Sequence, residues 1–251
     1  MNKYILVMVF MFVSCGVAAE TASCPKNAEL DKLLKFGDLF IGELHGTNEA
    51  PEFYRCLIDR ALQTSKERVI VSLELEDDAR SALSAVWKKT DFEDGRSSKA
   101  MFNLVRYLVE KESMAILNLH FQHRARTVRS SPEVVGKELN ELSERGLLIA
   151  IAGNAHTPKV RASWMSESML SEGMFVGPKV THIILETVHK GTLWACIPQC
   201  GIQVKSEIPR FAKVNAGDIQ DGKEFGHDFM YFIDHYSASE PMDMLTPTVS
   251  N

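Results

Sequence analysis

The sequence predicts a three-layer α/β fold, with a mostly parallel central sheet and helices on both faces. Three observations predict it. Apolar runs recur at residues 39–44, 69–75, 114–119, 147–152 and 181–188. Several of them are nearly continuous in Val, Ile, Leu and Ala, the pattern of strands covered on both sides. Stretches of helical length separate them, as crossovers between parallel strands require.

The elements follow in order. Residues 1–19 read as a signal peptide: Asn2 and Lys3 form a basic start, residues 4–13 an apolar run, and Val17-Ala18-Ala19 a small-residue cleavage site. The run is too short to span a bilayer comfortably, so no integral membrane span is expected. Residues 20–251 are then a single α/β domain of an exported, periplasmic or secreted protein. Lipid anchoring at Cys15 is the rival processing, disfavoured because Phe12-Val13-Ser14 is a poor lipobox.

Asn48 can cap a helix with Glu49 and Pro51 in its first turn, reaching about Gln63. Asp77 or Asp78 can start the next. The polar stretch 91–98, carrying Gly95, reads as a surface loop able to overhang a site. Met101, Phe102, Val105, Leu108 and Val109 stand at helical spacing and place a core-facing helix over 99–111. Ser130 or Ser131 caps a further helix, with Pro132 near its start and Gly146 beyond its end. Residues 226–234 read as the last strand, and the segment after Pro241 as loosely ordered.

With Cys15 removed in the leader, Cys24, Cys56, Cys196 and Cys200 remain. An even number in an exported chain suggests two disulfides. Three pairings are open. A proline between Cys196 and Cys200 favours a turn, here a hairpin, and with it the set 196–200 and 24–56, the second tying the N-terminal arm to the first helix. Of 251 residues, 45% are apolar and 24% charged, and the formal charge is -5. Without a basic cluster, that balance argues against nucleic acid or an anionic membrane as partner. A small-molecule or peptide substrate fits better.

Parallel sheets bind ligands beyond the carboxyl ends of their strands, so the residues after each apolar run are the candidates. The first run gives Glu43, His45 and Glu49; the second Glu74 and Glu76; the third His120 and His123; the fourth Asn154 and His156; the fifth Glu186 and His189. Each alone reads most simply as a hydrogen-bonded structural residue. Their collection at one end of consecutive strands, where charge is costly unless paired or used, points to a site. In Gly42-Glu43-Leu44-His45-Gly46 the i, i+2 spacing puts both side chains on one face if the strand persists. In Gly153-Asn154-Ala155-His156 a glycine again ends the strand, and a helix is expected to follow.

The motifs "GELHGTNEAPEF" (42–53) and "GNAHT" (153–157), and more weakly "SLELE" (72–76), resemble the superfamily that joins erythromycin esterase-like proteins, haem-binding ChaN-like proteins and the Tiki/TraB proteases. The resemblance implies an α/β fold with Glu43, His45, Glu74 and His156 around one pocket. The esterases space their first Glu and His one residue wider, and the Tiki proteins carry a different motif before their first His. Substrate and metal dependence therefore do not carry over.

The chemistry expected is hydrolysis of an ester, lactone or amide by an activated water. His45 or Glu43 would be the general base, with His156 as acid or as stabiliser of the tetrahedral intermediate. Asn154 would donate to substrate, N–H groups of the helix opening near Asn48 would face the oxyanion, and Arg124, with Arg126, would clamp an anionic group. No Gly-x-Ser-x-Gly element occurs. A metal-assisted form would hold zinc, manganese or iron through Glu43, His45 and His156, with Glu74 as a further ligand. The alternative from another class is a haem- or iron-binding protein with His120, His123 or Tyr231 as axial ligand. Asp228 and His235 are second-tier site candidates, more simply read as polar residues flanking a strand.

Overall fold

The computed structural model describes residues 24–76, 95–123, 131–196, 199–206, 211 and 213–241. The expected leader 1–19, Cys15, the helix start at Asp77 or Asp78, Arg124, Arg126 and the segment after residue 241 lie outside them. In chain order come α1 (Asn27–Leu34), β1 (Leu39–Glu43), α2 (Glu49–Thr64), β2 (Val69–Glu76), α3 (Lys99–Ser113), β3 (Leu117–His123), α4 (Pro132–Ser143), β4 (Leu147–Gly153), β5 (Thr181–Thr187), β6 (Gly191–Cys196), β7 (Cys200–Lys205), β8 (Ile219–Asp221) and β9 (Phe229–Ile233). Among the described residues, seven strands form one sheet in the order β3-β2-β4-β1-β5-β9-β8. Its neighbours are parallel except β8 with β9, while β6 and β7 form a separate antiparallel hairpin.

Alternation along β1 decides which helices cover which face. Leu39 and Ile41 join the core beneath α1, α2 and α3, whereas Phe40 joins Val135 and Leu139 of α4. Full burial of each such side chain contributes about 1.5–3 kcal/mol. A one-residue slip would exchange the two faces, so this burial also sets the register. Both faces are covered, which makes three layers.

Crossovers then make the crevice. The chain leaves β1 by α2 over one face toward β2, and leaves β4 over the other toward β5, with Val176 and Val180 packed in the α4-side core. β1 and β4 are hydrogen-bonded neighbours. Outgoing connections that diverge from adjacent parallel strands open a cleft between their carboxyl ends.

Several expectations shift. The third strand starts at Leu117 instead of Met114, because α3 runs to Ser113 and Ala115 takes a left-handed turn with φ 57°. His120 and His123 therefore lie within the strand. Ser131 does cap α4, accepting from Val134 N–H. Ser98 caps α3 in the same way, and Ser97 and Ser98 are buried, so 95–98 is an inward-packed turn and not a surface loop. Asn48 precedes α2 without a side-chain cap. No α-helix follows β4; an irregular segment runs to a 3-10 turn at Glu172–Phe175.

The favoured disulfides are both present, Cys24–Cys56 and Cys196–Cys200. Among the described residues, no helix is long and apolar enough to cross a membrane.

Candidate active site

β1 ends at Glu43, on the same face as Leu39 and Ile41 and 2% exposed. The chain turns at once, and His45 folds back so that its Nδ1 lies 2.7 Å from Glu43 Oε1. With the carboxylate accepting, the ring proton sits on Nδ1 and Nε2 carries the lone pair. Among the described residues, the buried Nε2 has no hydrogen-bond partner. It lies over the end of β4, where a Cβ at residue 153 would come within 2.7 Å of it. Glycine there is what gives the imidazole its place.

Glu74 comes from the other side of β4. β2 pairs with β4 only as far as Leu73 opposite Ile151. Beyond that point the Glu74 side chain replaces the ladder, with Oε2 accepting from Gly153 N–H at 2.7 Å. The same oxygen is 3.7 Å from His45 Nε2. Glu74 Oε1 is 3.0 Å from Arg96 Nη1 and 3.2 Å from His156 Nε2. His156 Nδ1 in turn is 2.8 Å from Glu172 Oε2. Glu43, His45, Glu74 and His156 are thus brought together, with Arg96 and Glu172 beside them. Glu43, His45, Glu74, Arg96, Leu73 and Met101 help to line a cavity of about 10 Å³. That is room for about one water.

Three carboxylates here face one guanidinium and two imidazoles. Burial pushes the Glu43 carboxyl above its ordinary pKa, although the His45 hydrogen bond opposes this. Burial acts to lower His45, but the bond to Glu43 and the charges of Glu43 and Glu74 outweigh it and leave the imidazole raised. His156 is likewise raised: burial lowers it, and the Glu172 bond with the Glu74 and Glu172 charges prevails.

The predicted metal set does not fit this arrangement. Glu43 contacts Nδ1 of His45, the ring nitrogen turned away from Glu74, so Glu43, His45 and His156 do not aim at one point. The carboxylate both Nε2 atoms face is Glu74, and Arg96 already places a fixed cation on it. No step below runs through a metal.

Other candidates lie elsewhere. Asn154 joins the cluster by its backbone, donating to Glu43 O at 2.9 Å, with its side chain half-buried. Asn48 is exposed, but its Nδ2 donates to Ala238 O and Ser237 Oγ and its N–H to Ser237 O, so these donors at the start of α2 are already engaged. Glu49 holds Ser237. Glu186 is paired with Lys205, and His189 and His235 are exposed beside Asp234. His120 meets Ser72 Oγ at 3.1 Å, and Tyr231 packs against Phe53 in the core. Asp228 pairs with Lys159 and accepts from His182 N–H, at the end of the sheet opposite the cluster. The Cα atoms of Glu76 and His123 are partners at the ends of β2 and β3.

Arg96 and Glu172 were not among the sequence candidates. Both stand off the strand ends, Arg96 in the turn before α3 and Glu172 in the 3-10 turn, so a search confined to the apolar runs passes them by. The one sequence signal for Arg96 is its place in the loop expected to overhang a site.

No family model matches the sequence, and no curated protein sequence matches it. Among solved structures the fold is similar to a Bacillus cereus protein at 8% identity, with a TM-score of 0.56 over 87% of this chain and 94% of that one. It is equally similar, at 9% identity and TM-score 0.56 over 87% and 93%, to a protein described as a succinoglycan biosynthesis protein. A toxin effector domain from Vibrio vulnificus matches more loosely, with 14% identity and a TM-score of 0.37 over 74% of this chain and 38% of that one. At these identities the first two likenesses show the α/β fold and nothing of activity.

Proposed function

We propose that the chain is an exported hydrolase of the erythromycin esterase-like, ChaN-like and Tiki superfamily, acting on an ester, lactone or amide through a water activated by His45. The observation that carries this is the convergence of two Glu–His pairs, Glu43–His45 and Glu172–His156, on Glu74 at the crevice between β1 and β4. His45 Nε2 faces the one-water cavity and takes a proton from that water as its oxygen attacks the carbonyl carbon. Glu43 holds the ring by Nδ1 and stabilises the imidazolium that forms. Arg96 and His156 supply positive charge for the developing oxyanion, and His156 gives a proton to the leaving oxygen or nitrogen as the acyl bond breaks. Glu74, between the two Nε2 atoms, gives the proton on His45 a route back to His156. Asn154 and the cationic Arg124 are the proposed substrate contacts.

The test is a panel of esters, lactones and amides with wild type, His45→Ala and His156→Ala, after thermal melts show the variants folded. Each substitution is expected to lower kcat by about 10²–10⁴-fold, the usual contribution of a general acid or base. Wild-type turnover in a folded variant would sink the assignment. EDTA is expected to leave the rate unchanged; loss with EDTA, restored by one divalent ion, would overturn the metal-free form.

A further inference from the structure

Glu172 lies 16 residues beyond His156, in an irregular segment. Its side chain is nonetheless buried, and among the described residues its ion-pair partner is His156. Burying a carboxylate is costly unless the charge is used or compensated. The backbone is shaped to bring it there. Gly173 N–H donates to His156 O at 3.0 Å, and a Cβ on Gly173 would strike Thr157 O at 2.4 Å, so a side chain there would push the turn away. Ser171 Oγ–H donates to Pro158 O from the residue before. On both sides of Glu172 the chain is therefore fastened to the segment that follows His156.

The two imidazoles differ in what they face. His45 has the Glu43 carboxylate on Nδ1 and, among the described residues, no hydrogen-bond partner on its buried Nε2, from which Glu74 Oε2 stands 3.7 Å away. His156 has the Glu172 carboxylate hydrogen-bonded at Nδ1, at 2.8 Å, and Glu74 Oε1 at ion-pair distance from Nε2, at 3.2 Å, and its side chain is 36% exposed. A ring with one nitrogen bonded to a carboxylate and a second carboxylate close to the other favours hydrogen on both, the form that donates. The ring whose Nε2 stands farther from Glu74, 3.7 Å against 3.2 Å, keeps a lone pair on that side more readily. The pairs look alike but suit opposite tasks.

We propose that Glu172 is a positioning residue: it fixes the His156 ring with Nδ1–H on the Glu172 carboxylate and Nε2–H toward Glu74, and so makes His156 the acid and His45 the base of the reaction. This inference rests on the hydrolase reading, but its first measurement does not. His156 ring nitrogens are followed by NMR in wild type, Glu172→Gln and Glu172→Asp, assigned by the signal missing from His156→Ala. In wild type, both ring nitrogens of His156 are expected to carry hydrogen at neutral pH. Glu172→Gln, which keeps the shape and loses the charge, is expected to give a neutral or mixed-tautomer ring, and Glu172→Asp to restore the wild-type pattern in part.

Kinetics supply the second measurement. Glu172→Gln is expected to lower kcat by at least about tenfold with KM changed less than about threefold, the split for a group that acts in the transition state. An unchanged His156 ring in a folded Glu172→Gln variant overturns the inference whatever the rates. An altered ring in a protein that turns over no ester, lactone or amide leaves Glu172 positioning His156 and refutes the hydrolase reading instead. If Glu172→Gln does not fold, Glu172→Asp decides by the same ring signal: a wild-type ring with wild-type kcat despite the shortened side chain counts against positioning.

Discussion

Glu43 is the residue on which the base depends, and its surroundings make that dependence strong. Tyr54 and Tyr236 are buried beside it, and burial, followed by charges that include Glu43, pushes both phenols well above their ordinary range. In so dry a setting a carboxylate bound to Nδ1 weighs heavily on the ring. Burial alone would lower His45, and Glu43 reverses the sign. His45 works as a base only when neutral, so the rate should rise with pH through a pKa above the ordinary histidine value of about 6.5. Glu43→Gln removes the raising influence and leaves burial, so the rising limb of the kcat profile should move to lower pH. The plateau should fall by about 10²–10⁴-fold, because the ring loses the charge that stabilises its imidazolium, and an amide, which can donate as well as accept, no longer fixes its tautomer. A pH–rate series on the two proteins checks this. A limb that stays in place or moves up excludes His45 as the base.

At the scale of elements, the segment after β4 does what the expected helix would have done. Thr157 anchors it: His227 Nδ1–H donates to Phe225 O, so its Nε2 accepts from Thr157 Oγ1–H at 2.7 Å, while His182 Nδ1–H donates to Thr157 O at 2.8 Å. Burial keeps both histidines neutral, with His227 pushed down to about 4. The strand ends and their glycines were legible because a covered parallel strand must be apolar until it leaves the sheet, and Glu43, Glu74 and His156 were found that way. This segment was not legible, because its shape comes from contacts with residues 25 and 70 positions away, and local sequence carries no mark of them. Arg96 and Glu172 were missed for the same reason. The contact at Gly42 tests the element: a Cβ there would meet Thr157 Oγ1 at 2.3 Å and Asn154 Cα at 3.1 Å. Gly42→Ala should cost about 1–3 kcal/mol as an overpacked position. It should also lower turnover, because Thr157 and Asn154 flank the stretch that carries His156. Urea denaturation and the ester assay measure the two effects; full stability with full activity would mean that Thr157 is not seated against β1.

For the whole molecule, the nearly continuous apolar runs and the helical stretches between them made the layers legible, but the sheet order could not be read from the chain. β4 inserts between β2 and β1, a choice made by packing after the strands exist. The N-terminal arm is fastened by tertiary contacts as well: α1 is held on α2 by Asp31 with Arg60, at 2.7 and 2.8 Å, and by Cys24–Cys56. Cys196–Cys200 closes the hairpin whose Trp194 N–H donates to Gly46 O beside the site. The bridges join residues 32 and 4 apart. A cross-link stabilises chiefly by restricting the unfolded chain, and more so for longer loops. Replacing Cys24 and Cys56 with serine should therefore cost about 3–4 kcal/mol, and replacing Cys196 and Cys200 about 2 kcal/mol. Urea midpoints at unchanged m-value report both. Protein made in a reducing cytoplasm should match the four-serine variant in stability, and protein recovered from an oxidising compartment should exceed it by about the sum. Equal stability from the two sources would remove the thermodynamic reason for these cysteines to be paired, and with it the structural support for export.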